Sequence, residues 1–242
     1  MKKILTTFAI IALSTVPVKA IDMEMFSITG GLAANTSVWG ATATQDEYNA
    51  AGTAIDASNK QSGVFTESFS SQFVELGVGK WVSFGYEHVP DSISTPQNVN
   101  NSSTGFSSSG VATSTVSVDF NDFNTLYAKL NTPMGIYLKF GNVSTDIDIK
   151  ETQRSGNTYK NTSIDGTSMG AGYEKLFSDK GFGIRFEANY VEMDSVTVNN
   201  GVAKTGGTST NHGFAEVKAK NIEGLTGKVA LTYTFGRSGN TF

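Results

Sequence analysis

The chain has 242 residues, a net charge of −4 and no cysteine, which excludes a disulfide framework, a thiolate metal site and a thiol nucleophile. No block of basic residues offers a footprint for nucleic acid. Glycine is abundant, at 26, and proline scarce, at 4; this suits long strands joined by tight turns, but a disordered Ser/Asn-rich chain would share it, so periodicity has to decide the class.

Residues 1–20 read as a secretory signal that is cleaved. Lys2 and Lys3 precede a short apolar core, Ile4 to Leu13, and Val18-Lys19-Ala20 is a small-residue cleavage site. The core is too short to span a bilayer as a helix, and no later apolar run approaches that length. Losing the signal's three lysines takes the net charge from −4 to −7 and leaves 222 residues.

The first strand is predicted from about Met25, with Phe26, Ile28, Gly30, Leu32, Ala34, Thr36 and Val38 on one face. A polar stretch, 42–66, reads as a long loop. The second strand runs to Gly79 with Val74, Leu76 and Val78 on one face, and Gly79-Lys80 turns into a third carrying Val82, Phe84 and Tyr86. Residues 91–114 read as a second long loop.

The fourth strand, 115–130, places Val116, Val118 and Phe120 in parity with Leu126, Ala128 and Leu130. Asp122 and Asn124 interrupt that face, so either a bulge lies there or the upper part stands above a membrane. After the turn Asn131–Gly135, the fifth strand carries Ile136, Leu138 and Phe140. Its apolar residues then become odd-numbered, at Val143, Ile147 and Ile149, which predicts a glycine bulge at Gly141-Asn142.

A third loop, 150–161, leads to a sixth strand with Met169, Ala171 and Tyr173 outward. Leu176–Gly181 turns the chain into a seventh, with Phe182, Ile184, Phe186, Ala188 and Tyr190 outward. A fourth loop, 194–213, precedes a last strand that ends in Val229, Leu231, Tyr233 and Phe235 on one face against Lys228, Ala230, Thr232 and Thr234 on the other.

Four long connections thus alternate with three short ones. With period-2 alternation in every span, this predicts an all-β fold: a closed, antiparallel, up-and-down transmembrane β-barrel with long extracellular loops and short periplasmic turns. Closure is required because an open edge in hydrocarbon leaves backbone groups unpaired, at several kcal/mol each. Eight strands are counted; hairpins hidden in the first two loops would make ten. The barrel occupies 21–235, with 236–242 a short extension. Phe26, Trp81, Phe177, Phe182, Tyr233 and Phe235 are candidates for one interfacial aromatic girdle, and Trp39, Tyr86, Phe120 and Tyr190 for the other.

The signal, the loop rhythm, the run Ser168-Met169-Gly170-Ala171-Gly172-Tyr173-Glu174 and the finish Leu231–Phe235 resemble the small outer-membrane β-barrels of the opacity and OmpA-like, porin-like type. The resemblance covers most of 21–235 as a pattern. It implies export by the general secretory route, an outer-membrane location, lipid contact, and recognition of the terminal strand by the barrel assembly machinery. Either Phe235 or Phe242 serves as the terminal aromatic mark.

Inward positions carry Glu75, Glu87, Lys129, Lys139, Arg185, Glu187 and Lys228. Such a set either selects ions at a constriction or pairs off to fill a narrow interior, and the second is favoured for eight strands. Catalytic signatures are sparse. The barrel family's lipid A deacylases resemble serine hydrolases with His and Ser two apart, but His88 and His212 lack that spacing. Asp146 and Asp148 share one strand face near its top and read as solvated rim charges, or at best a weak calcium site. No catalytic residue, metal ligand or cofactor is assigned, and no enzymatic activity is expected. The favoured function is structural or surface-interacting, through loops with an unidentified extracellular ligand. Alternatives are a narrow channel for small solutes or ions, a lipid-modifying enzyme, and a secreted soluble β-sandwich.

Overall fold

The computed structural model describes residues 26–49, 51–102, 112–152, 158–177, 181–204 and 214–236. The signal peptide, His212, Phe242 and nearly all of the C-terminal extension lie outside the described residues. Among the described residues eleven strands follow in order: β1 (Phe26–Tyr48), β2 (Ile55–Val78), β3 (Val82–Val89), β4 (Ile93–Ser94), β5 (Asn98–Ser102), β6 (Ala112–Asn131), β7 (Ile136–Thr152), β8 (Thr162–Leu176), β9 (Phe182–Met193), β10 (Val196–Asn199) and β11 (Ala215–Phe235).

Eight of them form a ring, β1-β2-β3-β6-β7-β8-β9-β11, which closes through antiparallel pairing of β11 with β1. Short β4 and β5 pair with the upper part of β6, and β10 with that of β11. The ring therefore has eight staves, not ten. The tight turn β2–β3 uses Gly79 (φ 60°), and Gly181 (φ 84°) leads directly into β9, both in a left-handed conformation that a side chain disfavours.

Around the short-turn half, apolar side chains point outward and stay exposed: Leu32, Val74, Phe84, Leu130, Leu138 and Leu231 among them. Leaving one such side chain in water costs about 1.5–3 kcal/mol relative to an apolar environment, so the belt needs lipid. Phe182, Tyr233 and Phe235 form an edge-to-face ladder at 4.7 and 4.4 Å across the belt's lower rim, where exposed Trp81 and Phe177 also lie.

Above the belt the pattern inverts. On β7, Tyr137, Lys139, Val143, Thr145 and Ile147 are all buried inside, and pairing with β8 runs without a shift from Ile136↔Tyr173 to Ile147↔Thr162. The glycine bulge predicted at Gly141-Asn142 is absent. The odd face points inward throughout; what changes is its chemistry, from charged to apolar, while the outward face turns polar at Asn142, Ser144 and Asp146. The physical reason is the medium: beyond the lipid, water lies outside the wall and the interior becomes an ordinary core.

A real irregularity sits on β6. Its register against β7 shifts between Asn121 and Asn124, with Asp122 at φ 49°. Below the shift Phe123, Tyr127 and Lys129 face in; above it Val118 and Phe120 do, packed against the buried apolar cluster. Of the two explanations open at Asp122–Asn124, the bulge is present.

The first two predicted loops are much shorter than expected. Most of 42–66 is strand, because β1 and β2 stay paired from Thr42↔Ser62 to Tyr48↔Ile55. Strands β4, β5 and β10 likewise occupy parts of predicted loops. A Ser/Thr/Asn-rich strand with water on its outer face shows no alternation to read, and its backbone pairing is invisible in composition.

Candidate functional site

The interior divides into a charged floor and an apolar upper chamber. The floor is assembled by parity. All seven predicted inward charges are inside, 1–7% exposed, and Glu174 of β8 joins them, with its side chain 16% exposed. Four cations therefore meet four glutamates.

They form two squares. Near the short turns, the Arg185 guanidinium donates to both oxygens of Glu75 at 2.7 and 2.8 Å and to Glu174 at 3.1 Å. Lys129 donates to the same two acids at 2.7 and 3.1 Å. One level up, Lys139 donates to Glu187 at 2.7 Å and Glu87 at 3.1 Å, and Lys228 to Glu87 at 2.6 Å and Glu187 at 3.0 Å. The Tyr127 hydroxyl donates to Glu75 at 2.8 Å and that of Tyr137 to Glu187 at 2.6 Å. Buried charge is tolerated only when paired and hydrogen-bonded in this way. The sequence-based prediction missed Glu174, because Glu174-Lys175-Leu176 adjoins a turn where alternation fades.

Glycines make room for the large interior rings. Directly opposite Phe73, Tyr127, Tyr137 and Trp39 across the pairing stand Gly31, Gly85, Gly172 and Gly224. A Cβ built on any of the four would come within 2.2–2.6 Å of its partner's ring.

The upper chamber draws an apolar side chain from every stave, including Trp39 of β1, Val89 of β3, Phe123 of β6, Val143 of β7, Ile164 of β8 and Ile222 of β11. Two members of the expected upper girdle belong here. Trp39 is 5% exposed, stacks on Phe120 at 6.5 Å and meets Phe123 edge-on at 5.9 Å, while its Nε1 donates to Ser37 at 2.8 Å. They cannot contact lipid, because Trp39 falls on the inward parity of β1 and the β6 bulge turns Phe120 inward. Tyr86 remains exposed on the outer face.

His88 pairs through Nδ1 with Asn124 Oδ1 at 2.8 Å, and the Tyr86 hydroxyl donates to the same oxygen. Asp148 accepts a hydrogen bond from Asn121 at 2.8 Å. Among the described residues no group of three His, Asp or Glu side chains is placed to hold a metal ion.

No family model and no curated protein sequence matches the chain. Solved structures do. The outer membrane protein OprG from Pseudomonas aeruginosa is 10% identical over 83% of this chain and 95% of its own, with a TM-score of 0.51. AlkL, an outer membrane protein solved in lipid bilayers, is 9% identical over 92% and 96%, with a TM-score of 0.46. Ail of Yersinia pestis is 10% identical over 84% and 99%, with a TM-score of 0.37. The likeness to OprG is one of fold. A closed eight-stave ring with a lipid-facing belt is the architecture of a small outer-membrane barrel, and the protein belongs in that membrane.

Proposed function

We propose that the protein is a non-conducting outer-membrane barrel with a structural or surface-interaction role, exerted through the strands and loops that stand above its lipid belt on the extracellular side. One observation carries this reading: solvent reaches almost none of the surface of the seven floor residues Glu75, Glu87, Lys129, Lys139, Arg185, Glu187 and Lys228. A water-filled pore would wet them. Paired in two squares, they fill the lumen as side chains fill other narrow barrels. The polar upper staves offer a rigid platform for contacts, as loops on a scaffold commonly do. The narrow channel is the competing function.

Planar bilayer recording tests the choice. The purified protein is expected to insert without steady conductance. A steady conductance, abolished by Arg185→Ala or Lys139→Ala, would overturn the proposal in favour of the channel. The protein is further proposed to have no lipid-modifying activity: His88→Ala and His212→Ala are expected to leave the lipid A of expressing cells unchanged, and a changed lipid A pattern would make it an enzyme.

A further inference from the structure

Staves β2, β1 and β11 present lysines on their outer face just above the lipid belt. Thr44 of β1 lies opposite Lys60 of β2 on one side and Lys218 of β11 on the other; one pair lower, Thr42 lies between Ser62 and Lys220. Residues directly opposite one another share a face, and here it is the outer one: Thr42 and Thr44 have the parity of exposed Leu32 and Val38. The other parity, with Ala41 on β1, Phe65 on β2 and Ala219 on β11, packs against the buried cluster. All three lysines are exposed. A bulge turns two of them out. Gly40↔Glu223 is followed by Thr42↔Lys220, so β11 carries one residue more than β1 there, with Asn221 at φ 53°. Below the bulge even-numbered residues of β11 such as Lys228 point inward; above it Lys218 and Lys220 point outward.

Exposed Val64 and Leu225 mark the top of the belt on these staves. Lys220 stands level with Ser62, one pair above Val64, and Lys218 level with Lys60, two pairs above. At about 3.3 Å per residue and a strand tilt of about 40°, they lie about 5 and 10 Å above the belt. A headgroup layer is about 5–8 Å deep, and flexible lysine stems bend toward such a layer. Lys60 and Lys218 are two strand spacings apart, about 10 Å, and Lys218 and Lys220 about 7 Å. None of the three forms an ion pair with another described residue. The outward acids around them accept from hydroxyls instead: Asp46 from Ser58 at 2.5 Å, Glu216 from Tyr48 at 3.0 Å, and Glu223 from Tyr190. Lys150 on β7, by contrast, is tied to Asp119.

We propose that this face of β2, β1 and β11 binds the phosphorylated head of an outer-leaflet glycolipid of the lipid A kind. The phosphates lie on Lys60, Lys218 and Lys220, and the acyl chains run down over Val38, Val64 and Leu225. A phosphate monoester brings up to two negative charges and three acceptor oxygens, and an ammonium group can only donate. Between the lysines stand further donors: Thr44, and the hydroxyls of Thr42 and Ser62, which bond each other at 2.9 Å. Lipid is the occupant because the lysines continue upward from the belt that lipid covers, so the anion beside them is a headgroup. The site is local. Farther round the wall Asp146, Asp165 and Glu192 face outward, which would repel the same phosphates.

Native mass spectrometry of the purified protein, released from detergent micelles, tests this with three added lipids: bisphosphorylated lipid A, the same lipid with its phosphates removed, and phosphatidylglycerol. The first is expected to bind at least about tenfold more tightly than the other two, each lysine near an anionic surface being worth about fivefold. Lys60→Gln, Lys218→Gln and Lys220→Gln together are expected to abolish that preference, and Lys150→Gln to leave it unchanged. All four side chains are solvent-exposed, and a heat-modifiable band checks that each variant folds. The comparison of lipids needs no variant, so a triple variant that failed to fold would not protect the site from refutation. Equal binding of the three lipids, an unchanged preference in the triple variant, or an equal loss in Lys150→Gln would each overturn it. Dimers that form without lipid and vanish in the triple variant would overturn it in favour of an interface between copies. Binding requires the outer-membrane location but not a closed lumen: a conducting barrel that still prefers lipid A defeats the functional reading above and leaves this site standing.

Discussion

Arg185 and Glu75 meet in a two-pronged ion pair between β9 and β2, staves that are not neighbours in the ring. The contact spans 110 residues of sequence, and the planar guanidinium matches the carboxylate in a way a lysine could not. Removing Arg185 strands Glu75 and Glu174 with Lys129 as their common cation. Arg185→Met is expected to destabilise the barrel by about 3–5 kcal/mol in urea unfolding from lipid vesicles. Adding Glu75→Gln is expected to restore a large part of that loss, since an apolar or neutral pair often replaces a buried ion pair at little cost. Additive losses in the double variant would mean that the two side chains do not act as a unit.

Gly172 faces Tyr137 in the pairing of β7 with β8, and the tyrosine ring fills the space that a side chain would take. Gly172→Val is expected to cost about 1–3 kcal/mol or more through overpacking, seen as loss of the heat-modifiable band on a gel. Gly30→Val is the control. Nothing lies within 4 Å of a Cβ built there, and the folded band is expected to persist.

The inversion on β7 can be checked by moving one charge along its outward face. Leu138→Arg, within the belt, is expected to cost about 2–4 kcal/mol, the usual range for a cation on the lipid face near the midplane. Ser144→Arg, six residues higher on the same parity, is expected to cost less than about 1 kcal/mol. Equal costs would place both residues in lipid.

The two tryptophans divide the same way. Trp81 is 58% exposed and Trp39 is 5% exposed. Single-tryptophan variants in vesicles of chain-brominated lipid are expected to show strong quenching for Trp81 and little for Trp39. Trp39→Ala is expected to cost about 3–5 kcal/mol in stability, as a large ring leaves a packed core, whereas Trp81→Ala is expected to shift unfolding far less.

Across the lipid belt, the amino-acid order was sufficient by itself. Leu32, Val74, Phe84, Leu138 and Leu231 face outward as their parity predicts, and seven inward charges were identified before any pairing was known. Lipid enforces this: each span has one apolar surroundings and one polar, so alternation is written locally, residue against next residue. Stave count and tight turns follow from the same signal. Outside the belt that contrast vanishes or reverses. The long polar hairpin of β1 and β2 shows no alternation, and apolar Val143, Ile147 and Phe120 mimic a lipid face while lying inside. Which cation meets which carboxylate is likewise absent from any single strand, because Arg185, Glu75, Lys129 and Glu174 come together only through the register of the closed ring. Three-dimensional closure alone decides whether a barrel with those charges is a pore or a plug, since that depends on how far side chains from opposite walls can reach.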